Sequence, residues 1–300
     1  MAQLVDCHTH TFFSDGVSSF EENIRAAIAA GCKVLVSTDH LTLPASMDPN
    51  LECQVPFNRL QEHKDSFEEA QSLAFELCPE LDFIYGFECD WYEGCEQNVK
   101  AWAKDAQVKL GSVHWIGHAG DVSIAAGYDG SDAIAQADSS RNKEVAGWID
   151  YSEDMHVWEQ LGSAGVWGKY VETWCKACES ELNFDSMAHP DLPMRFYAEF
   201  PPPANIENLW GKMAECAKDT GRRIEISTAS FRKGLNDFYP ACSLLEKFFK
   251  AEVPITLGSD AHNAKFVCYN IEEAQKHAWE IGYRKFDVPR KDGSWESWDL

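Results

Sequence analysis

The sequence predicts a single α/β domain, a distorted seven-stranded (β/α)7 barrel. Three observations carry this expectation. Short β-branched runs alternate with amphipathic helical segments along the 300 residues, the pattern of parallel strands joined by crossover helices. No composition shift or Pro/Gly/Ser-rich linker divides the chain. Six of the seven strand runs are followed at once by His, Asp or Glu. Barrels collect functional residues at the carboxyl ends of their strands, whereas an open doubly wound sheet gathers them mainly at one switch point.

The first strand is Leu4-Val5-Asp6, ending in Cys7-His8-Thr9-His10. Two histidines two apart on extended chain face the same side. They form a half-site for a borderline metal such as zinc or iron. Asp15, before Gly16, can fold back as a carboxylate ligand. Ser19-Phe20-Glu21-Glu22 is a capping box, Phe20, Ile24, Ala27 and Ile28 recur at helical spacing, and Gly31 ends the helix. Lys33 to Thr38 is the second strand, ending in Asp39-His40. A polar loop from Pro44 to Pro56 leads to a helix from about Asn58 to Leu77. Asp82 to Phe87 is the third strand, ending in Glu88, and a helix from about Glu96 to Ala106 follows. Lys109 to Val113 is the fourth strand, ending in His114.

Residues 115–153 are rich in Gly, Ala, Asp and Ser and break the rhythm. They read as a long loop or excursion, and loops of that length are usually functional or mobile. A helix from about Met155 to Glu179 restores the order before the fifth strand, Phe184 to Ala188, which ends in His189-Pro190-Asp191. A helix from Ile206 to Thr220 precedes the sixth strand, Arg223 to Ser227. A helix near Pro240 to Lys250 precedes the seventh, Pro254 to Gly258, which ends in Ser259-Asp260-Ala261-His262. The last helix spans Ile271 to Ile281, and a polar, Trp-bearing tail covers 283–300.

Composition narrows the function classes. An apolar fraction of 45% with 17 Phe and 11 Trp fits a packed globular protein. No apolar run reaches membrane-spanning length, and no secretory pattern opens the chain. The 11 cysteines are scattered and odd in number, so they read as reduced thiols of a cytoplasmic protein. Cys175-x-x-Cys178 has no second pair to complete a zinc knuckle and reads as structural. A net charge of −23 without a basic stripe argues against nucleic-acid and membrane partners. A small phosphorylated substrate then requires local positive charge, which a metal cluster provides. Oligomeric state is not legible.

The strand ends supply His8, His10, Asp15, His40, Glu88, His114, His189, Asp260 and His262, six imidazoles and three carboxylates. That set exceeds the four to six ligands of one ion, so two or three divalent ions are expected, with Glu88 bridging a pair. His63, His156 and His277 lie in helical segments without a carboxylate partner and read as surface or core residues; His118 reads as a loop residue.

Asp6-Cys7-His8-Thr9-His10 with Ser14-Asp15-Gly16, Thr38-Asp39-His40, Ser112-Val113-His114, Ala188-His189-Pro190-Asp191 and Gly258-Ser259-Asp260-Ala261-His262 resemble the motif set of the polymerase and histidinol phosphatase (PHP) superfamily. Phe184-Asp185, Arg232-Lys233-Gly234 and Tyr239-Pro240 are similar to the stand-alone histidinol phosphatases. The resemblance implies a trinuclear zinc, iron or manganese site: His8, His10, Glu88 and Asp260 on one ion, Glu88, His114 and His189 on the second, Asp15, His40 and His262 on the third. It implies a phosphomonoesterase of histidine biosynthesis, cleaving L-histidinol phosphate by attack of a metal-bridging hydroxide. Glu88 and Asp260 would be central to catalysis, Arg232 and Arg195 would bind phosphate, and Asp191 or an unligated His would protonate the leaving alkoxide. Other small phosphomonoesters, a protein-tyrosine phosphatase and a PHP-type nuclease are the alternatives. The run Glu225-Ile226-Ser227-Thr228-Ala229-Ser230 departs from the Glu-x-Asn-Thr-Ser-Gly usual in the family's phosphatases, which bears on the substrate more than on the chemistry.

Overall fold

The computed structural model describes residues 3–120, 145–153 and 155–300. Of the predicted excursion at 115–153, residues 121–144 lie outside the described residues.

The chain runs β1 (Val5–Asp6), α1 (Phe20–Ala30), β2 (Val34–Ser37), α2 (Leu60–Leu77), β3 (Asp82–Asp90), α3 (Glu96–Trp102) and β4 (Val108–Ser112). It continues through β5 (Trp115–Ile116), β6 (Gly147–Trp148), α4 (His156–Glu179), β7 (Ser186–Met187), α5 (Ile206–Thr220), β8 (Arg223–Ser227) and α6 (Ala229–Arg232). It closes with α7 (Cys242–Lys250), β9 (Ile255–Gly258), α8 (Ile271–Ile281), β10 (Lys285–Pro289) and β11 (Trp295–Asp299).

Seven strands form one sheet in the order β1-β2-β3-β4-β7-β8-β9, and every neighbouring pair is parallel. The edges meet: Cys7 N donates to Leu257 O at 3.0 Å, and Thr9 bridges Ala261 in parallel. The predicted distorted seven-stranded (β/α) barrel is therefore the fold. Strand interiors are buried throughout, as expected of parallel strands covered on both faces.

Local chemistry explains the helix ends. The Ser19 hydroxyl accepts from Glu22 N at 3.2 Å while the Glu22 carboxylate accepts from Ser19 N at 2.7 Å, so the capping box is real. Gly31, with φ 78°, ends α1 in the left-handed conformation that glycine adopts without a Cβ penalty. α4 is less regular than its sequence suggests, because Gly162 at φ 63° and ψ 173° interrupts it. Beyond that break it carries Trp167, Tyr170 and Trp174, all fully buried, and Trp167 meets Trp210 of α5 edge-on at 6.2 Å between ring centres.

Four features differ from expectation. α3 ends at Trp102, not near Ala106. β3 continues through Glu88 to Asp90. β5 and β6 pair as a short antiparallel ribbon at the base of the excursion. The polar tail is a hairpin, β10 against β11, pinned to the barrel by Arg223–Asp287 at 2.8 Å and by Arg290 and Lys291 on Asp82 at 3.2 and 3.1 Å.

Two buried carboxyls tie strand ends together. Asp6 accepts from Ser259 N at 2.8 Å, Ser259 Oγ at 2.6 Å and Cys268 N at 2.7 Å. Asp191 Oδ2 accepts from Ala241 N at 2.8 Å. Asp191 is fully buried, and this bond tethers the Tyr239–Ala241 turn. Burial pushes the Asp191 carboxyl up to about 7. A raised acid favours the folded state at low pH, and that contribution is lost as pH rises through the folded value. Asp191→Asn keeps the acceptor without the charge. Its stability relative to the natural protein should improve between pH 3.8 and about 7. Denaturation midpoints measured across that range check this; a pH-independent difference contradicts it.

Candidate metal centre

Strand alternation builds the centre from its first residues. Thr9 turns outward, its hydroxyl donating to Val36 O at 2.8 Å, so His8 and His10 turn inward. Their Nε2 atoms approach to 3.0 Å. Glu88, buried on β3, faces both. Its Oε2 lies 2.9 Å from His8 Nε2, 3.3 Å from His10 Nε2 and 3.5 Å from His40 Nε2. Its Oε1 lies 2.9 Å from His189 Nε2 and 3.6 Å from His114 Nε2. Asp260 Oδ1 stands 3.4 Å from His10 Nε2, 3.8 Å from His8 Nε2 and 3.3 Å from His262 Nδ1. Asp15 Oδ2 reaches His262 Nε2 at 3.0 Å and His40 Nε2 at 3.9 Å, and its Oδ1 lies 3.5 Å from His10 Nδ1. All nine predicted residues converge.

The donor set fits divalent cations. His8 Nδ1 bonds Glu225 Oε1 at 2.9 Å, His40 Nδ1 bonds Asp90 Oδ2 at 3.0 Å, and His114 Nδ1 bonds Asp90 Oδ1 at 2.6 Å. An imidazole whose outer nitrogen donates to a carboxylate turns a lone pair inward, the arrangement that orients metal ligands. Nδ1 of His10 and of His189 are buried without a hydrogen-bond partner. Among the described residues, four groups have ligand atoms close enough to hold an ion: His8, His10 and Glu88; Glu88, His114 and His189; His10, Asp15, His40 and His262; and His40, Asp90 and His114. The first three follow the implied grouping, with Asp260 beside the first and His10 added to the third. The fourth was not anticipated.

Charge explains why such a cluster holds together. Burial disfavours charge on His8, but Glu225, Glu88 and Asp260 raise it well above its ordinary value. Burial likewise works against an ionised Glu88, yet the imidazoles of His40 and His8 hold its carboxyl well below the usual range. Protons and metal ions therefore compete for the same lone pairs.

Glu225, known from the sequence only as the start of a family-like run, and Asp90 are functional residues that the strand-end pattern does not pick out. Glu225 Oε1 orients His8 while Oε2 accepts from His189 N at 3.0 Å, which supports the left-handed backbone of His189 at φ 26°. A Cβ on Gly258 would strike the Glu225 carboxylate and His8 Cβ, so glycine is required where β9 passes them. Asp90 carried a signal: it lies two residues after Glu88 on one strand and shares its face. Glu225 carried another, an acid at the centre of a buried strand between Ile224 and Ile226.

His63 is a correction. The sequence around it offers no carboxylate partner, yet it is fully buried with Nε2 2.9 Å from Asp39 Oδ2 and Nδ1 2.9 Å from Tyr85 Oη. The partner sits 24 residues away and is brought in by the fold. Asp39 also accepts from Thr11 N at 2.6 Å, Thr11 Oγ1 at 2.7 Å and Ser14 Oγ at 2.6 Å, so the pair anchors the turn that presents Asp15. His118, His156 and His277 stay outside the cluster: His118 Nδ1 accepts from Gly120 N at 2.8 Å, His156 Nε2 meets Ala146 O at 2.9 Å, and His277 stacks on Phe238 at 4.9 Å.

Arg232 Nη2 donates to Ser259 O at 2.8 Å and Asp260 O at 2.6 Å, while its Nη1 is buried without a partner. Arg195 Nη1 lies 3.4 Å from Asp150 Oδ2. Arg195, Phe196, Lys233 and Leu235 line a cavity of about 280 Å³. No helix among the described residues is long and apolar enough to cross a membrane.

Comparison with known proteins agrees with this geometry. A Deinococcus radiodurans protein named "Probable histidinol-phosphatase" is 27% identical over 288 residues, spanning 95% of this chain and 96% of its own. A Listeria monocytogenes structure, provisionally assigned as a histidinol phosphatase, superposes with a TM-score of 0.72 at 16% identity, covering 90% of this chain and 99% of that one. The histidinol phosphate phosphatase of Lactococcus lactis, solved with zinc, L-histidinol and phosphate, gives 0.68 at 16% identity over 97% and 98% of the two chains. Residues 6–229 match the PHP domain model, and the chain belongs to the PHP domain family.

Proposed function

We propose that this chain is a metal-dependent phosphomonoesterase that hydrolyses L-histidinol phosphate to L-histidinol in histidine biosynthesis, as a single-domain cytoplasmic enzyme. The observation that carries this reading is Glu88: one buried carboxylate faces two imidazole groups, with Oε2 2.9 Å from His8 and Oε1 2.9 Å from His189. The Deinococcus relative and the zinc, L-histidinol and phosphate complex of the Lactococcus protein support the substrate.

His8, His10, Glu88 and Asp260 would hold one ion, Glu88, His114 and His189 a second, and Asp15, His40 and His262 a third, with His10 and Asp90 adjoining. Bound zinc, iron or manganese supplies Lewis-acid stabilisation of phosphoryl oxygens and lowers the pKa of water. The protein's part is to place and neutralise. Glu225 and Asp90 keep imidazole lone pairs inward. The Asp39–His63 pair holds the Asp15 turn. Arg232 Nη1 offers a spare donor for a phosphate oxygen, and Arg195 and Lys233 line a cavity suited to the rest of a small substrate.

In a screen of phosphomonoesters, a phosphodiester and a phosphotyrosyl peptide, L-histidinol phosphate should show the highest kcat/KM; selective cleavage of the diester or peptide would displace this reading. Chelation should abolish turnover, and re-addition of zinc or manganese should restore it. Glu225→Gln should lower metal affinity by about 10- to 100-fold, the usual cost of losing an outer partner of a ligating histidine. Competition titration with a chromogenic chelator measures this, and unchanged affinity refutes the role.

A further inference from the structure

Behind the metal centre, one buried pair is fastened to a turn on which the centre depends. His63 lies on α2 and is fully buried, packed by Phe13, Phe20 and Phe87 at 5.1, 5.3 and 5.2 Å between ring centres. Its Nε2 donates to Asp39 Oδ2, 2.9 Å away, which leaves Nδ1 for the Tyr85 hydroxyl. Asp39 turns its remaining lone pairs to one segment. Its Oδ1 accepts from Thr11 N and Ser14 Oγ, both at 2.6 Å, and its Oδ2 from Thr11 Oγ1 at 2.7 Å. Thr11 O in turn accepts from Ser14 N at 3.1 Å and Gly16 N at 3.0 Å. The loop is so tight that a Cβ on Gly16 would lie 2.8 Å from backbone atoms of His10 and Thr11. Asp15 is carried on this turn.

In the group His10, Asp15, His40 and His262, the imidazoles are aligned by other means. His40 Nδ1 is held by Asp90 at 3.0 Å, His262 Nδ1 by Asp260 O at 3.0 Å, and the carbonyl of His10 by Asn23 Nδ2 at 2.9 Å. Asp15 has no comparable outer partner. Among the described residues its carboxylate meets the other donors of the group and, at 3.4 Å, Ser14 Oγ. Its side chain is also 29% exposed, against 1% for Glu88. We propose that His63 is a positioning residue for the third ion alone: through Asp39 it fixes the Thr11–Gly16 turn, and with it the reach of Asp15 into that position. The inference rests on the reading that Asp15, His40 and His262 hold an ion. A carboxylate on a loosened turn has to be re-ordered when the ion binds, and the lost freedom appears as lost affinity. The donors of the first two positions lie at strand ends outside that turn, so their affinities do not depend on His63.

Zinc bound per full-length chain, counted by mass spectrometry at graded free zinc set by a chelator buffer, tests this without reference to turnover. The unsubstituted protein should fill three positions. His63→Leu should fill the first two at unchanged free zinc and need at least about tenfold more for the third, the lower end of what an outer partner contributes. His63→Gln, whose amide still donates to Asp39, should recover most of that loss. Should His63→Leu fail to fold, Asp39→Asn should show the same selective loss. Trp210→Leu, a buried change on α5, should lower the denaturation midpoint and leave all three affinities as they were. An unchanged third affinity in both His63→Leu and Asp39→Asn, equal weakening of all three positions, no recovery in His63→Gln, or loss of the third ion in Trp210→Leu as well would overturn the positioning role. Fewer than three ions on the unsubstituted protein would overturn the underlying metal reading, and the inference with it.

Discussion

The structure turns on a carboxylate that cannot stand alone. Glu88 is 1% exposed, and an isolated buried carboxylate carries a desolvation penalty of several kcal/mol. Its compensation comes from the loops after β1, β2, β4 and β7, as His8, His10, His40, His114 and His189. Those segments converge only when the sheet curls and its first strand meets its last. The barrel and the centre are thus one solution: closure brings the imidazoles in, and the imidazoles make the buried acid tolerable. A second layer repeats the logic, since Glu225 and Asp90 are also buried acids and each is held between two inward-facing groups.

This arrangement reconciles a chain of net charge −23 with an anionic substrate. The acidic groups are spread over the surface, whereas the centre gathers imidazoles and a cation-holding donor set within a few ångströms. At such distances a local cluster outweighs a screened, distant surface field. Arg232, bound to the carbonyls of Ser259 and Asp260, adds a fixed positive group to the same loop that carries two of the ligating candidates.

Much of this was legible in the sequence, for identifiable reasons. Period-two spacing put His8 and His10 on one face, and the strand–helix rhythm put His40, Glu88, His114, His189 and Asp260 at successive strand ends. What escaped notice depended on contacts distant in sequence or hidden inside elements. β3 runs two residues past Glu88, so Asp90 belongs to the strand and not to the loop after it. Glu225 matches the first residue of the family's Glu-x-Asn-Thr-Ser-Gly run, but its partners His8 and His189 lie on other strands and only the fold brings them in. The carboxylate for His63 came from another loop. The tail, polar in composition, still paired as a hairpin because β10 and β11 alternate enough apolar side chains, such as Phe286 and Val288, to bury one face.

The closure of β1 on β9 has a consequence for biosynthesis. Synthesis is vectorial, and N-terminal segments leave the ribosome first. His8 and His10 emerge long before Asp260 and His262, so the nascent chain exposes a two-imidazole chelator without its remaining ligands. The remaining donors of both groups, Asp260 and His262, join these imidazoles only when the last strand slots beside the first, so the full donor set exists only in the closed barrel.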